Sequence, residues 1–281
     1  MARVTVGTGL GLALVLAGPV AAHEIGPEAL TSLPPADVVI LGEVHDHPVH
    51  HRNQAAAVAA IAPAALVFEM LRPDQAARVT PGTRGDAGAL GAALEWDASG
   101  WPDFAMYHPI FTAAPSAEVH GGALPREEVR RAMQDGAAAV FDAAYDAAFG
   151  AAARFGLADP LTPEDQAARE AAQMTAHCDA LPESMLTGLV EAQRLRDAAL
   201  ARAVVAATAA TGGPVVVITG TGHARRDEGI PAALALAAPE LSVLSIGQLE
   251  ADPGPAAPYD LWIVTEPQPR PDPCAALRQQ G

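Results

Sequence analysis

The sequence predicts an α/β fold: a mostly parallel sheet with flanking helices and an inserted helical section. Short apolar runs stand towards both ends of the chain, the first two are separated by a helical segment, and the middle is rich in alanine. Buried parallel strands read as continuous apolar runs rather than as alternating patterns. Strands at both ends with a helical block between them indicate one α/β domain. We predict strands at residues 37–41, 64–68, 118–122, 215–219, 241–245 and 261–265.

The first two apolar runs form a βαβ unit. The run Asp37–Leu41 ends at Gly42, and Pro48 suits the first turn of a helix that we expect to reach Ile61. Ala64–Phe68 is the second run. Strand, helix and strand within about 35 residues make a βαβ unit, whose crossover should be right-handed.

The middle of the chain is predicted to be mainly helical. Between Arg72 and Phe104, Pro, Gly and Asp interrupt short helical pieces, so we expect loops there. The segment Glu118–Gly122 is a strand that runs into a glycine turn. The longest helix has apolar residues at helical spacing and stops before two glycines and a proline. Beyond the first, we predict helical segments at 109–114, 125–134, 137–152, 163–177, 183–210 and 231–238.

The last third of the chain returns to strands. Val215–Thr219 is the strongest β-branched run, and Gly220 follows it. Two further apolar runs, Leu241–Ser245 and Leu261–Thr265, complete the predicted sheet.

The chain begins with the features of a signal peptide. Arg3 precedes the apolar run Val4–Ala17, and small residues lead to Ala22. We therefore expect residues 1–22 to be a signal peptide, 23–267 the folded domain and 268–281 a flexible tail. The alternative is an uncleaved anchor helix, but the run is shorter than the ~20 residues a span needs. The expected location is periplasmic or secreted, with no transmembrane span after cleavage.

Charge and cysteine content limit the possible partners. The chain has 281 residues with 33 acidic and 17 basic side chains, a formal net charge of −16, which argues against nucleic acid or anionic lipid. Cys178 and Cys274 could form a disulfide in an oxidising compartment. The sequence alone leaves open the alternative of one buried and one exposed thiol.

Two strand ends carry the same motif. Gly42-Glu43-Val44-His45 and Gly220-Thr221-Gly222-His223 both read Gly-x-x-His directly after an apolar strand, and Glu69 ends a third strand. In open parallel sheets, ligands bind outside the carboxyl ends of the strands. If these strands are neighbours, both histidines and both glutamates face one crevice.

These residue types suit metal or haem chemistry. Neutral imidazole binds transition metals and haem iron, and a nearby carboxylate can ligate a metal or accept a proton from an attacking water. Four of the nine histidines lie between His45 and His51, and ordinary core packing does not account for such a cluster. For His47, just before Pro48, the alternative role is to cap the helix. Of His50 and His51, we expect one to point inward and one to solvent.

The same residues resemble a known family. Gly42–Asp46, followed by His50, His51 and Gln54, resembles the opening motif of the ChaN-like haem-binding uptake proteins. That family shares a superfamily with Tiki and TraB proteins and the erythromycin esterases. Further matching pieces are Phe68–Met70, Trp101, Tyr107-x-Pro109, Leu124–Arg126, residues 191–197, Gly220–His223 and Gly229-x-Pro231.

The resemblance implies a Tiki/ChaN-like fold and an exported protein that binds haem for iron uptake, as a homodimer. The candidate haem contacts are His45, Tyr107, His177 and His223. A Tyr107 phenolate would suit ferric iron, but this tyrosine could instead pack on the sheet with its hydroxyl satisfied. His177 could be a surface histidine or one that supports a ligand.

The wider superfamily implies a second reading. It includes metal-dependent proteases and esterases, whose active-site positions correspond here to Glu43, His45, Glu69 and His223. The alternative is therefore a metal-assisted hydrolase with a divalent transition metal on Glu43, His45 and His223, and Glu43 or Glu69 as base. A third reading is a non-catalytic envelope interaction protein. Unlike the lipoproteins common in the family, this chain has no lipobox cysteine.

Overall fold

Seven parallel strands form one sheet in the part of the chain that the structure describes. The computed structural model describes residues 22–145, 151–272 and 274–275, so residues 1–21 of the expected signal peptide lie outside it. The strand order is β1-β7-β6-β2-β5-β3-β4. The strands are β1 His23–Glu24, β2 Val38–Glu43, β3 Ala65–Phe68, β4 Glu118–Gly121, β5 Val215–Gly220, β6 Val243–Leu249 and β7 Leu261–Val264.

Helices cover both faces of this sheet. They are α1 Pro48–Ile61, α2 Pro73–Ala76, α3 Pro81–Arg84, α4 Ala87–Ala93, α5 Phe104–Ala113, α6 Arg126–Asp135, α7 Ala137–Ala144, α8 Pro163–Ala176, α9 Leu186–Thr211 and α10 Ile230–Ala237. The predicted fold class is confirmed.

The central strands are apolar throughout because each face of the sheet packs against a separate core. In β2, Val38 and Ile40 belong to the core that includes residues of α7, α9 and α10. Val39 and Leu41 belong to the core that includes residues of α1 and α5. Successive side chains of a strand point to opposite faces, so a strand buried on both sides needs a continuous apolar run.

Three element predictions were wrong in detail. The strand β1 was missed because His23–Glu24 is short and polar, with no apolar run. Helix α5 begins at Phe104 rather than Pro109, because the Asp103 side chain accepts a hydrogen bond from the Ala105 N–H and caps it. The helix expected over 137–152 ends at Ala144; residues 146–150 are outside the described part.

The strand order brings the two Gly-x-x-His motifs together. β5 lies between β2 and β3, and Glu43 at the end of β2 is in register with Gly220 at the end of β5. Phe68, the last residue of β3, is in register with Ile218. Glu43, Glu69 and the loop after Gly220 therefore share one edge of the sheet.

The last residues of the described chain are attached to the body. Cys178, just after α8, forms a disulfide with Cys274, with Cα atoms 5.5 Å apart. Arg270 donates hydrogen bonds to the carboxylates of Asp46 and Glu250. These contacts fix part of the segment that the sequence predicts to be a tail.

We predict that the disulfide stabilises the folded chain. Replacing both cysteines (Cys178→Ser with Cys274→Ser) should lower the free energy of unfolding by about 2–4 kcal/mol, because the cross-link restricts the unfolded chain. Urea denaturation measures this. A reducing agent should reproduce the loss in the wild type and leave the double variant unchanged. Equal midpoints for oxidised wild type and double variant would contradict the prediction.

Candidate functional site

Glu43 is a buried carboxylate held by three side chains. Its Oε1 accepts hydrogen bonds from the Tyr107 hydroxyl and from His45 Nδ1, each at 2.9 Å. His51 Nδ1 lies 3.2 Å from Oε2. Burial by itself raises the pKa of Glu43, but the hydrogen bond from His45 and the nearby His51 ring outweigh it, and the net pKa is lowered. Glu43 is therefore ionised at neutral pH.

Glu69 stands between the two motif histidines. Its Oε2 accepts hydrogen bonds from the Gly220 N–H at 2.7 Å and the Thr219 hydroxyl at 2.8 Å. Its Oε1 lies 3.4 Å from His223 Nε2 and 3.9 Å from His45 Nε2. Burial opposes ionisation, but the charge of His223 and its hydrogen bond hold the pKa of Glu69 well below its ordinary value.

His223 is enclosed by carboxylates on both sides. Its Nδ1 lies 2.6 Å from Asp197 Oδ1 on α9, and its Nε2 faces Glu69. Burial lowers the pKa of this imidazole, yet the charges of Glu69 and Asp197 raise it overall, to about 10. Burial raises the pKa of Asp197. His223 is thus a cation at neutral pH, held by its neighbours.

His45 is the most accessible member of this group. Its side chain is 34% exposed, whereas those of Glu69 and His223 are 11% and 8% exposed. Nδ1 donates to Glu43, and Nε2 is beyond hydrogen-bonding distance of Glu69. A Cβ atom at Gly220 would come within 2.9 Å of Nε2, so the glycine makes room for the ring. The Trp101 ring packs edge-on against His45 at 4.9 Å between centroids.

Together these side chains form an alternating series of acid and imidazole. We call Glu43, His45, Glu69, His223 and Asp197 the carboxylate–imidazole chain. Each buried charge in it faces an opposite or polar partner, which compensates the cost of burial. The structure brings the four predicted strand-end residues together, and their chemical roles stay predictions. Asp197 was missed as a site residue, although it ends the segment 191–197 that resembles the family.

The other two predicted haem contacts, Tyr107 and His177, are not members of the carboxylate–imidazole chain. Tyr107 is fully buried, and its hydroxyl donates to Glu43. Burial, together with the charge of Glu43, raises the pKa of Tyr107 far above its ordinary value, so phenolate is disfavoured. His177 Nδ1 donates to the Gln173 carbonyl at the end of its own helix.

The remaining clustered histidines support the loop after β2. His47 caps α1 by accepting from the Val49 N–H, as predicted. His50 and His51 are both buried, so the expectation that one of them faces solvent was wrong. His50 accepts from the Val44 N–H, and His51 Nε2 donates to the His45 carbonyl. His50 stacks on His47, and the His51 ring packs against Tyr107.

Metal ligation is less evident than hydrogen bonding in this cluster. Over residues 22–145, 151–272 and 274–275, no group of three or more His, Cys, Asp and Glu side chains is arranged to hold a metal ion. The two Nε2 atoms of His45 and His223 nevertheless both face Glu69 Oε1.

A cleft of about 690 Å³ lies beside the carboxylate–imidazole chain. Glu69 and Trp101 belong to its wall. We call it the arginine cleft, because four arginines line it: Arg72, Arg126, Arg130 and Arg196. These arginines come from distant parts of the chain, so sequence spacing does not group them, although Arg126 and Arg196 stand in segments that resemble the family.

The sequence carries the pattern of a known protein family. The sequence model of the family described as "Haem-binding uptake, Tiki superfamily, ChaN" matches residues 29–234. The chain belongs to this family, as its motifs predicted.

Solved structures extend the comparison of the fold. The chain is 19% identical to ChaN of Campylobacter jejuni, described with cofacial haem binding, at a TM-score of 0.60 over 83% of this chain and 87% of that one. It is 14% identical to the type III effector HopBA1, at a TM-score of 0.43 over 85% of this chain and 90% of that one. No curated protein gives a match in sequence. Among the described helices, none is long and apolar enough to cross a membrane.

The raised pKa of His223 predicts a pH-dependent stability. A folded-state pKa of about 10 against an ordinary 6.5 means that the protonated ring stabilises the fold fully below pH 6.5. That contribution is lost as the pH rises through about 10. Urea denaturation from pH 6 to 10 should show this fall in the wild type and a flatter profile in His223→Gln.

The control is His120→Gln, whose imidazole pairs with Glu118 outside the site. It should keep the wild-type profile. Parallel profiles for wild type and His223→Gln would show that His223 is not a paired cation.

Proposed function

We propose that this protein is an exported haem-binding protein that serves haem or iron uptake. The observation that carries the proposal is the match of the haem-binding uptake family over residues 29–234. The fold shared with ChaN of Campylobacter jejuni, described with cofacial haem binding, is in keeping with it. Haem is the cargo in this proposal, so the protein must hold and release it rather than use it in catalysis.

The arginine cleft suits a haem in size and in the chemistry of its wall. The arginine cleft is within the roughly 300–1,000 Å³ range of small-ligand and cofactor sites. Its wall combines apolar side chains with arginines, which match the ring and the propionates of a porphyrin. Trp101 lines the cleft and packs against His45, so this indole connects the cleft with the imidazole.

His45 is the side chain that we assign as iron ligand. Its Nε2 has no hydrogen bond, and the ring is partly exposed. Its Nδ1 donates to Glu43, the arrangement that orients metal-bound histidines and makes them more basic. Tyr107 then acts through Glu43 as a positioning residue. His223, held between two carboxylates, keeps Glu69 ionised.

A homodimer remains part of the proposal. The partly exposed face of His45 leaves a side of the site open, which a second copy could cover. Light scattering with and without haemin tests this point directly: a doubling of mass is expected, and a monomer at saturating haemin would remove the dimer from the proposal.

Haemin titration of the purified full chain should give a saturable shift of the Soret band. We expect His45→Ala to abolish the shift, because it removes the ligand, and Tyr107→Phe to weaken binding by about 10-fold, since it loosens the support of Glu43. His177→Ala is the matched control and should bind as the wild type does.

The same titration can reject the proposal. Absence of a saturable shift in the wild type would do so. A shift lost in Tyr107→Phe but kept in His45→Ala would move the iron to Tyr107, against the assignment made here.

A metal-assisted hydrolase is the second candidate. The observation in its favour is that His45 and His223 each bind a carboxylate through Nδ1 and turn Nε2 towards Glu69. Two histidines and one carboxylate form a common metal set in hydrolases. A metal bound there would lower the pKa of a water molecule on it. Glu69 would then bind the metal, and Glu43 would orient His45.

Metal analysis separates the two candidates. If haem uptake is the function, we expect the purified protein to carry well under one equivalent of Zn, Mn or Co and to cleave no ester or peptide in a screen. Stoichiometric metal that is lost in both His45→Ala and His223→Ala, together with hydrolysis, would favour the hydrolase. The His177→Ala variant again serves as control.

A further inference from the structure

We propose that the arginine cleft recognises carboxylates on an apolar ring, so that the ligand is selected as a porphyrin dicarboxylate and not only through its iron. This inference rests on the proposed function and deepens it. It predicts that a metal-free porphyrin dicarboxylic acid binds in the same cleft.

Three arginines of this cleft lack a carboxylate partner in the described part of the chain, although the chain is strongly acidic. Acidic residues outnumber basic ones 33 to 17, so an arginine readily finds a carboxylate. Elsewhere in the described chain many do, as Arg225 does with Asp227 and Arg270 with Asp46. In contrast, Arg126, Arg130 and Arg196 make no salt bridge within residues 22–145, 151–272 and 274–275.

Two of these arginines have unused donors. Arg126 uses one Nη to donate to the Ser99 carbonyl at 3.0 Å. Arg196 donates through one Nη to Gln193, while its Nε is buried with no hydrogen-bond partner in the described structure. A buried donor without a partner is costly. An anionic oxygen in the cleft would provide that partner, and guanidinium groups bind carboxylates in paired hydrogen bonds.

The single acidic side chain in the described wall of the cleft is already engaged and does not compete with a ligand. Glu69 is the one acidic side chain among the described residues that line it. Its Oε2 already accepts from Gly220 and Thr219, and its Oε1 faces the two histidines. Arg72, the fourth arginine, is paired with Asp74. The remaining arginines are therefore available to a ligand.

The rest of the wall is apolar. Met70, Leu124, Val129 and Leu200 line the cleft together with the indole of Trp101. Arg126 and Arg130 are four residues apart on α6 and so lie on one face of that helix, while Arg196 comes from α9. An apolar surface bordered by guanidinium groups on two helices matches a flat hydrophobic ring with acidic substituents.

The test uses the full chain and three probes: haemin, metal-free protoporphyrin IX and its dimethyl ester, all in the same detergent. Binding of the metal-free probes is followed by porphyrin fluorescence. We expect protoporphyrin IX to bind and the diester to bind at least 10-fold more weakly. The double variant Arg126→Gln with Arg130→Gln, and Arg196→Gln, should each weaken the diacid by about 10–100-fold. Arg52→Gln, an exposed arginine on α1, is the matched control and should have no effect.

The outcomes separate this inference from the proposed function. If the diester binds as tightly as the diacid, or if the arginine variants bind the diacid like the wild type, the inference is wrong. Haemin binding through His45 could then still stand. If the diacid binds through the arginines while haemin gives no Soret shift, the inference holds and the haem function fails.

Discussion

The buried carboxylate of Glu69 is the constraint on which the rest of the site depends. A charge at the edge of a parallel sheet must be compensated, and here the compensation comes from the neighbouring strand and both motif loops. The Gly220 N–H and Thr219 hydroxyl hold one oxygen, and His45 and His223 face the other. The order β2-β5-β3 is what makes these contacts possible.

The electrostatics then divide the site into a closed side and an open side. His223 is buried between Glu69 and Asp197 and serves as a fixed cation. His45 has Glu43 on one nitrogen and no hydrogen bond on the other, and it packs against Trp101, which lines the cleft. The two motif histidines thus take different roles because His45 is partly exposed and His223 is buried. The arginine cleft adds positive charge beside this open side.

Much of the fold could be predicted because buried parallel strands appear in the sequence as continuous apolar runs. Glu43, His45, Glu69 and His223 could be predicted because they stand where these runs end. What could not be predicted depends on tertiary contacts. Residues 191–197 resemble the family, but the contact of Asp197 with His223 appears only when α9 is placed beside the strand ends. The burial of both His50 and His51 depends on hydrogen bonds to the loop after β2 and on ring contacts with His47 and Tyr107, which helical periodicity does not encode.

The most direct test of the account is a crystal structure of the full chain with haemin. We predict iron on His45 Nε2, with the hydrogen bond between Nδ1 and Glu43 retained, and propionates on Arg126, Arg130 or Arg196. Iron bound by the Tyr107 oxygen, or a haem outside the arginine cleft, would contradict it.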